Sequence, residues 1–211
     1  MFFNRLRKGG FRWRVVALNV GSNLIGFFMV QLLLRFAQPI EEWRRFSELD
    51  RVTNFVLLSI LLPVSIIFLL KLSQPVDEVL ALEHSGAKID PARMYAARCR
   101  VINIPYYAGL MNLFAWLAPS IAFPVVLSFK ESISLSNMLI YVMFDFSKGL
   151  MISLLALVIL EHSIRGDIIP RLFPKGGLRD SCRAVVLETR PRLMILSVAP
   201  CLLPFFRFTV F

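Results

Sequence analysis

Charge is what this chain has least of. Only 18% of its 211 residues are Asp, Glu, Lys or Arg, and the acidic ones number 14 against 24 basic. Histidine occurs twice and cysteine three times. The scarcity of cysteine, with no C-x-x-C and no Cys/His cluster, excludes a disulfide framework and offers no metal-ligand spacing. No P-loop, G-x-S-x-G or H-E-x-x-H motif is present. The DFSKG segment at 145–149 is no kinase motif, because it lies in an apolar span without the other kinase elements. No catalytic residue, cofactor or metal is therefore expected from the residues themselves.

What fills the chain instead is apolar. Hydrophobic residues make up 57% and the mean hydropathy is +0.67. They come in blocks, not periodic stripes: 20 uncharged residues separate Arg14 from Arg35, 19 separate Arg51 from Lys71, and 29 separate Arg100 from Lys130. At about 1.5 Å per helical residue, each block crosses a hydrocarbon core of roughly 30 Å. A fourth block, 133–160, is interrupted by Asp145 and Lys148, and a fifth has 14 uncharged residues from Leu193 before Arg207. The expected fold is an all-α polytopic membrane helix bundle forming a single membrane domain over 1–211. Its five spans lie at about 15–36, 52–71, 101–129, 133–160 and 193–211. The fifth is read as truncated, in a chain that is a piece of a longer protein. The first lacks a small-residue cleavage site and is read as an uncleaved helix, not a signal peptide.

Lys and Arg alternate in number along the chain: five before the first span, three in the first loop, five in the second, one in the third, seven in the fourth. The positive-inside rule then places the N-terminus and the second and fourth loops in the cytoplasm. There Cys99 and Cys182 would stay reduced. The net charge of +10 is mostly this topology signal. The basic residues sit at membrane edges, where they meet lipid, not on one soluble face interleaved with aromatics, so no nucleic acid is expected as a partner.

The two cytoplasmic connectors, 72–100 and 162–192, carry helical signals of their own. In the first, Val76, Val79, Leu80 and Leu82 form an apolar stripe and Gly86 is a C-terminal stop. Asp90 then caps, and Pro91 opens, a helix that runs on into the third span, with a kink expected at Pro105. In the second, Pro170, Pro174, Gly176 and Gly177 make a turn before a short helix at about 178–188. Each connector reads as helix out, break, helix back in, a two-span unit used twice.

Polar residues within spans are few enough to single out. Asp145 and Lys148, three apart, share a helix face; a charge there is either a structural ion pair or part of an ion or proton relay. Asn19 and Asn23, beside Gly21 and Gly26, and Asn112 in the third span suit hydrogen bonding between closely packed helices. His84 and His162 each occur in an "EHS" triplet just beyond a membrane exit and read as solvated surface residues.

The stretch "LSQPVDEVLALEHSG", 72–86, resembles the first half of a HAMP linker, in which a membrane helix meets a Pro and then a short amphipathic helix ending at Gly. Gln74 and Pro75 match the entry, Val79 and Leu80 the core positions, and Gly86 the connector. Asp90-Pro91 stands where the second HAMP helix has a Glu-rich motif. "ARCRVINIPYYAGLMNLFAWL" and "IIPRLFPKGGL" resemble segments of the polytopic N-terminal modules of bacterial class III adenylate and guanylate cyclases, a likeness covering roughly residues 50–211. The resemblance implies a membrane sensory or regulatory region in the bacterial inner membrane, homodimeric, with a catalytic cyclase domain beyond this chain. None of that family's catalytic residues falls within it, and nothing names the ligand. A small ion- or solute-coupled transporter using Asp145 and Lys148, and a structural membrane scaffold, stand as alternatives.

Overall fold

The computed structural model describes residues 10–37, 40–130, 132–174 and 176, and within them the all-α expectation holds: four helices and no strand. They are α1 (Gly10–Ala37), α2 (Ile40–His84), α3 (Pro91–Lys130) and α4 (Leu135–Leu172). The fifth expected span and the short helix expected near 178–188 lie outside the described residues.

Three helical stretches are long and apolar enough to cross a membrane: Phe55–His84, Pro91–Lys130 and Leu135–Leu172. Their outward faces carry large apolar side chains, Phe55, Phe114 and Phe129 among them, a surface suited to lipid and not to water. The chain is thus a membrane protein, with three of the five expected spans present in this form. The expected first span falls on α1, which packs against both α2 and α4; α3 likewise packs against both α2 and α4. The four helices close a ring in chain order.

The helices are longer than the spans read from the sequence. The first loop is largely absorbed, since α2 already begins at Ile40, and α2 then continues unbroken through Pro63 and Pro75 to His84. A Pro at those positions frees the carbonyls of Ser59 and Lys71 from helical hydrogen bonding. Lys71 is exposed, so water can reach the second of these. The connector helix expected before the Gly86 stop is thus the end of the span-two helix itself, continuous through Pro75. The reason lies in packing. Leu69, Leu72, Val76 and Val79 recur at three- and four-residue spacing across Pro75 and are all buried in one core, which a break would split.

That core lies at the end of the ring where the two cytoplasmic connectors are expected. It joins the α2 stripe to Phe11, Val15 and Val16 of α1, Ala97, Val101, Ile104 and Ala108 of α3, and Leu160, Ile164, Ile168 and Leu172 of α4. At about 1.5 Å per residue, the 38 residues of α4 and 40 of α3 extend about 57 and 60 Å, well beyond a hydrocarbon core of roughly 30 Å. The helices are thus longer than one crossing needs, and their packed end around this core is termed the stalk below.

Local chemistry sets the ends. At the close of α2 the N–H of Ala87 bonds to the carbonyl of Leu82 and that of Gly86 to Glu83, both 3.1 Å, with Gly86 at φ +68°. This is a Schellman turn, which needs a left-handed residue that glycine adopts without strain. Helix α3 starts at Pro91, with the Asp90 carboxylate 3.5 Å from the Ala92 N–H. Helix α4 starts behind Ser134, whose hydroxyl accepts from the Asn137 N–H at 3.2 Å.

Candidate functional site

The amino terminus of α1 is held by charges from two other helices. The first N–H groups of a helix have no intrahelical partner and carry the positive end of its dipole. Here the Asp77 carboxylate of α2 takes that place. It accepts from the Phe11 N–H at 2.6 Å, from the Arg12 N–H at 3.4 Å and from Arg12 Nε at 2.8 Å. Gly10 makes the approach possible: its φ is +67°, and a Cβ there would stand 3.0 Å from Asp77 Oδ1. Two residues on, Arg14 turns to α4, where its guanidinium pairs with Asp167 and donates to Ser163 Oγ at 3.0 Å. Asp167 also meets Arg171, at 3.4 Å, one turn further along α4.

The opposite helix pole is treated in kind. Arg98 of α3 donates through Nε to the Leu172 carbonyl at 2.7 Å, and its guanidinium lies 5.2 Å from the Phe173 ring centre. A cation thus caps the negative end of α4 as an anion caps the positive end of α1. Next to Arg98, Cys99 is disulfide-bonded, not the reduced thiol that the charge alternation implies. The other two cysteines, Cys182 and Cys201, lie outside the described residues.

Further into the membrane region a polar seam crosses the ring from α1 to α3. Asn19 and Asn112, both buried, exchange side-chain amide hydrogen bonds at 3.2 and 2.9 Å. One turn on, Trp116 Nε1 donates to Asn23 Oδ1 at 3.2 Å, while Asn23 Nδ2 returns to the Asn19 carbonyl at 2.8 Å. The Trp116 indole stacks near Phe27, centroids 6.4 Å apart. Gly149 of α4 provides the room: a Cβ there would overlap Trp116 Cβ. Gly26 likewise faces Ile152 of α4, at 2.8 Å from a Cβ placed on it.

Asp145 and Lys148 pair with each other on α4, with about one-eighth to one-sixth of each side chain exposed. The Lys148 ammonium also sits 4.8 Å from the Phe144 ring centre. The pair closes within one helix, so the ion pair itself joins no two helices. Of the HAMP-like residues, Val79 is buried and Leu80 is partly buried against the same core, Pro75 lies inside the continuous helix, and Gln74 is exposed, donating to Glu78 at 2.8 Å. Gly86 turns α2 back into antiparallel α3. His84 and His162 are exposed. Among the described residues no group of three or more His, Cys, Asp or Glu could hold a metal ion.

The amide seam joins residues already singled out by their rarity within spans, whereas the charge clamps do not. Arg12 and Arg14 enter the sequence reading only as members of a basic count, and Asp77 and Asp167 as residues of a connector. Standing beside a core position is no signal, since Glu78 beside Val79 and Arg165 beside Ile164 are exposed, whereas Asp77 beside Val76 and Asp167 beside Ile168 are held at helix–helix contacts. No protein-family model, no curated protein and no solved structure matches the chain.

Proposed function

We propose that this chain is the membrane sensory or regulatory region of a bacterial signalling protein, in the inner membrane with its N-terminus in the cytoplasm. The output is a nucleotide cyclase domain carried outside residues 1–211. The supporting observation is the mechanical continuity of α2. One helix runs from the apolar span through Pro75 into the stalk, and there its Asp77 grips the amino terminus of α1. A shift of α1 or α2 within the bilayer is then felt in the stalk, since packed helices repack between discrete arrangements and do not bend freely. The HAMP-like stretch serves in this scheme as the hairpin between spans two and three. A true output linker belongs beyond the described residues, and homodimerisation follows from the family resemblance.

The test is to sequence the gene beyond codon 211 and assay membranes from expressing cells for cyclic-nucleotide formation. A downstream HAMP and cyclase region with that activity supports the reading; a stop codon with no cyclic nucleotide formed removes it. The transporter alternative draws on the partial burial of Asp145 and Lys148 in a membrane-spanning helix. It expects proton- or ion-coupled flux in vesicles that Asp145→Asn abolishes. Flux insensitive to that change leaves the pair a structural one.

A further inference from the structure

The geometry points to a lipid site in the outer groove between α2 and α3, taking the headgroup of an anionic, hydroxyl-bearing phospholipid of the phosphatidylglycerol type. Helical angles place four side chains there. At about 100° per residue, Asp77 lies just past the core residue Val76 and Lys71 just short of Leu72, so the two flank the α2 core stripe on opposite sides. The Asp77 side faces α1, where it holds the Phe11 N–H; the Lys71 side therefore faces α3, the other helix packed on α2. On α3, Arg98 lies just past Ala97 and reaches α4 at Leu172, so Arg100, just short of Val101, faces α2. Phe68 stands just short of Leu69 and Tyr107 just short of Ala108, on those same flanks. All four side chains are exposed.

Antiparallel order sets the heights. Leu69, Leu72, Val76 and Val79 run against Ala108, Ile104, Val101 and Ala97, which brings Phe68 level with Tyr107. Lys71 and Arg100 lie beyond that pair toward the stalk, about 8 Å apart along the axis, a gap their long side chains close around one phosphate. Large exposed apolar side chains line α2 from Val52 to Phe68 and α3 from Tyr107 to Phe129. The hydrocarbon edge thus falls at the aromatic pair, and the two cations at headgroup depth. Lys71 and Arg100 meet no carboxylate among the described residues, whereas Arg12, Arg14, Arg165 and Arg171 are each paired. Glu78, on the same flank but further from the bilayer, accepts from Gln74 at 2.8 Å. Beside the cations, Pro75 leaves the Lys71 carbonyl without its helical donor. A phosphate therefore finds two free cations, a headgroup hydroxyl finds a free acceptor, and the aromatic pair flanks the acyl chains. The site does not depend on the cyclase output.

Native mass spectrometry of the full chain, titrated in detergent with lipids of identical acyl chains, tests it. Phosphatidylglycerol is expected to bind about twentyfold more tightly than phosphatidylcholine. It should also bind about threefold more tightly than phosphatidylmethanol, which keeps the charge and lacks the hydroxyls. Lys71→Gln and Arg100→Gln are each expected to weaken phosphatidylglycerol about fivefold. Lys130→Gln, at the far end of α3, is expected to leave it unchanged. Pro75→Ala returns an amide donor to the Lys71 carbonyl; it should erase the preference over phosphatidylmethanol and keep that over phosphatidylcholine. Equal binding of phosphatidylglycerol and phosphatidylcholine overturns the site, as does a preference that survives both Gln variants or falls equally in Lys130→Gln. A preference over phosphatidylmethanol that is missing in the wild type, or persists in Pro75→Ala, overturns the headgroup assignment. Release of the bound lipid by inorganic phosphate would make this a site for a free anion and overturn the inference as well.

Discussion

Asn19 and Asn112 satisfy each other. Each amide donates to the other's oxygen, 3.2 and 2.9 Å, across the ring from α1 to α3, with water excluded from both. A buried amide left without its partner loses more than the hydrogen bond contributed, because desolvation is no longer offset. Asn19→Leu and Asn112→Leu should each destabilise the bundle by about 1 kcal/mol, a typical scale for interhelical bonds in membranes. The double variant should lose clearly less than the sum of the two. A double-mutant cycle by steric trapping or detergent denaturation reads this directly; strict additivity would mean the two amides act independently.

Gly149 and Gly21 make a matched contrast. A methyl at Gly149 meets Trp116 Cβ, an atom fixed to the backbone that cannot swing aside, whereas a methyl at Gly21 meets nothing within 4 Å. Gly149→Ala should destabilise the α3–α4 contact by about 1–3 kcal/mol. Gly21→Ala should leave stability unchanged or raise it by about 0.5–1 kcal/mol through helix propensity. Thermal unfolding of the two variants side by side checks the sign of each.

Arg98 ties the start of α3 to the end of α4 through the Leu172 carbonyl and the face of Phe173. Arg98→Met keeps much of the stem and removes the cation. The last turn of α4 should then fray, with a loss of about 1 kcal/mol. Limited proteolysis after Leu172 should quicken in the variant, while cleavage in the 85–90 turn should not.

The Asp145–Lys148 pair makes a non-additive prediction. Asp145→Asn leaves an ammonium largely buried in an apolar helix, at an expected loss of about 2–3 kcal/mol. Asp145→Asn with Lys148→Met removes both charges and should recover most of that stability, since replacing a buried pair is milder than breaking it. Denaturation of the three proteins decides this. A double variant as weak as the single one would show that Lys148 has a further role.

Much of the helical framework was legible in the residues. Charge-free blocks marked the apolar stretches, and the signals at Gly86 and Asp90-Pro91 fall where α2 ends and α3 begins. These features rest on interactions within a turn or two, and so they are written locally. Pro75 is the opposite case: a proline locally disfavours a helix interior, and the burial of Val76 and Val79 beside Leu69 and Leu72 is why the helix continues through it.

By itself, then, the sequence determined that this chain is helical and membrane-embedded, because water-to-lipid transfer acts on composition and run length alone. The tertiary structure decided which charges meet. Asp77 lies 66 residues from the Phe11 N–H it accepts from, and Asp167 lies 153 from Arg14. Nothing local distinguishes those arginines from the others at the membrane edges. Their pairing follows from the register of four helices in a ring, which shared burial sets and which no window along the chain contains.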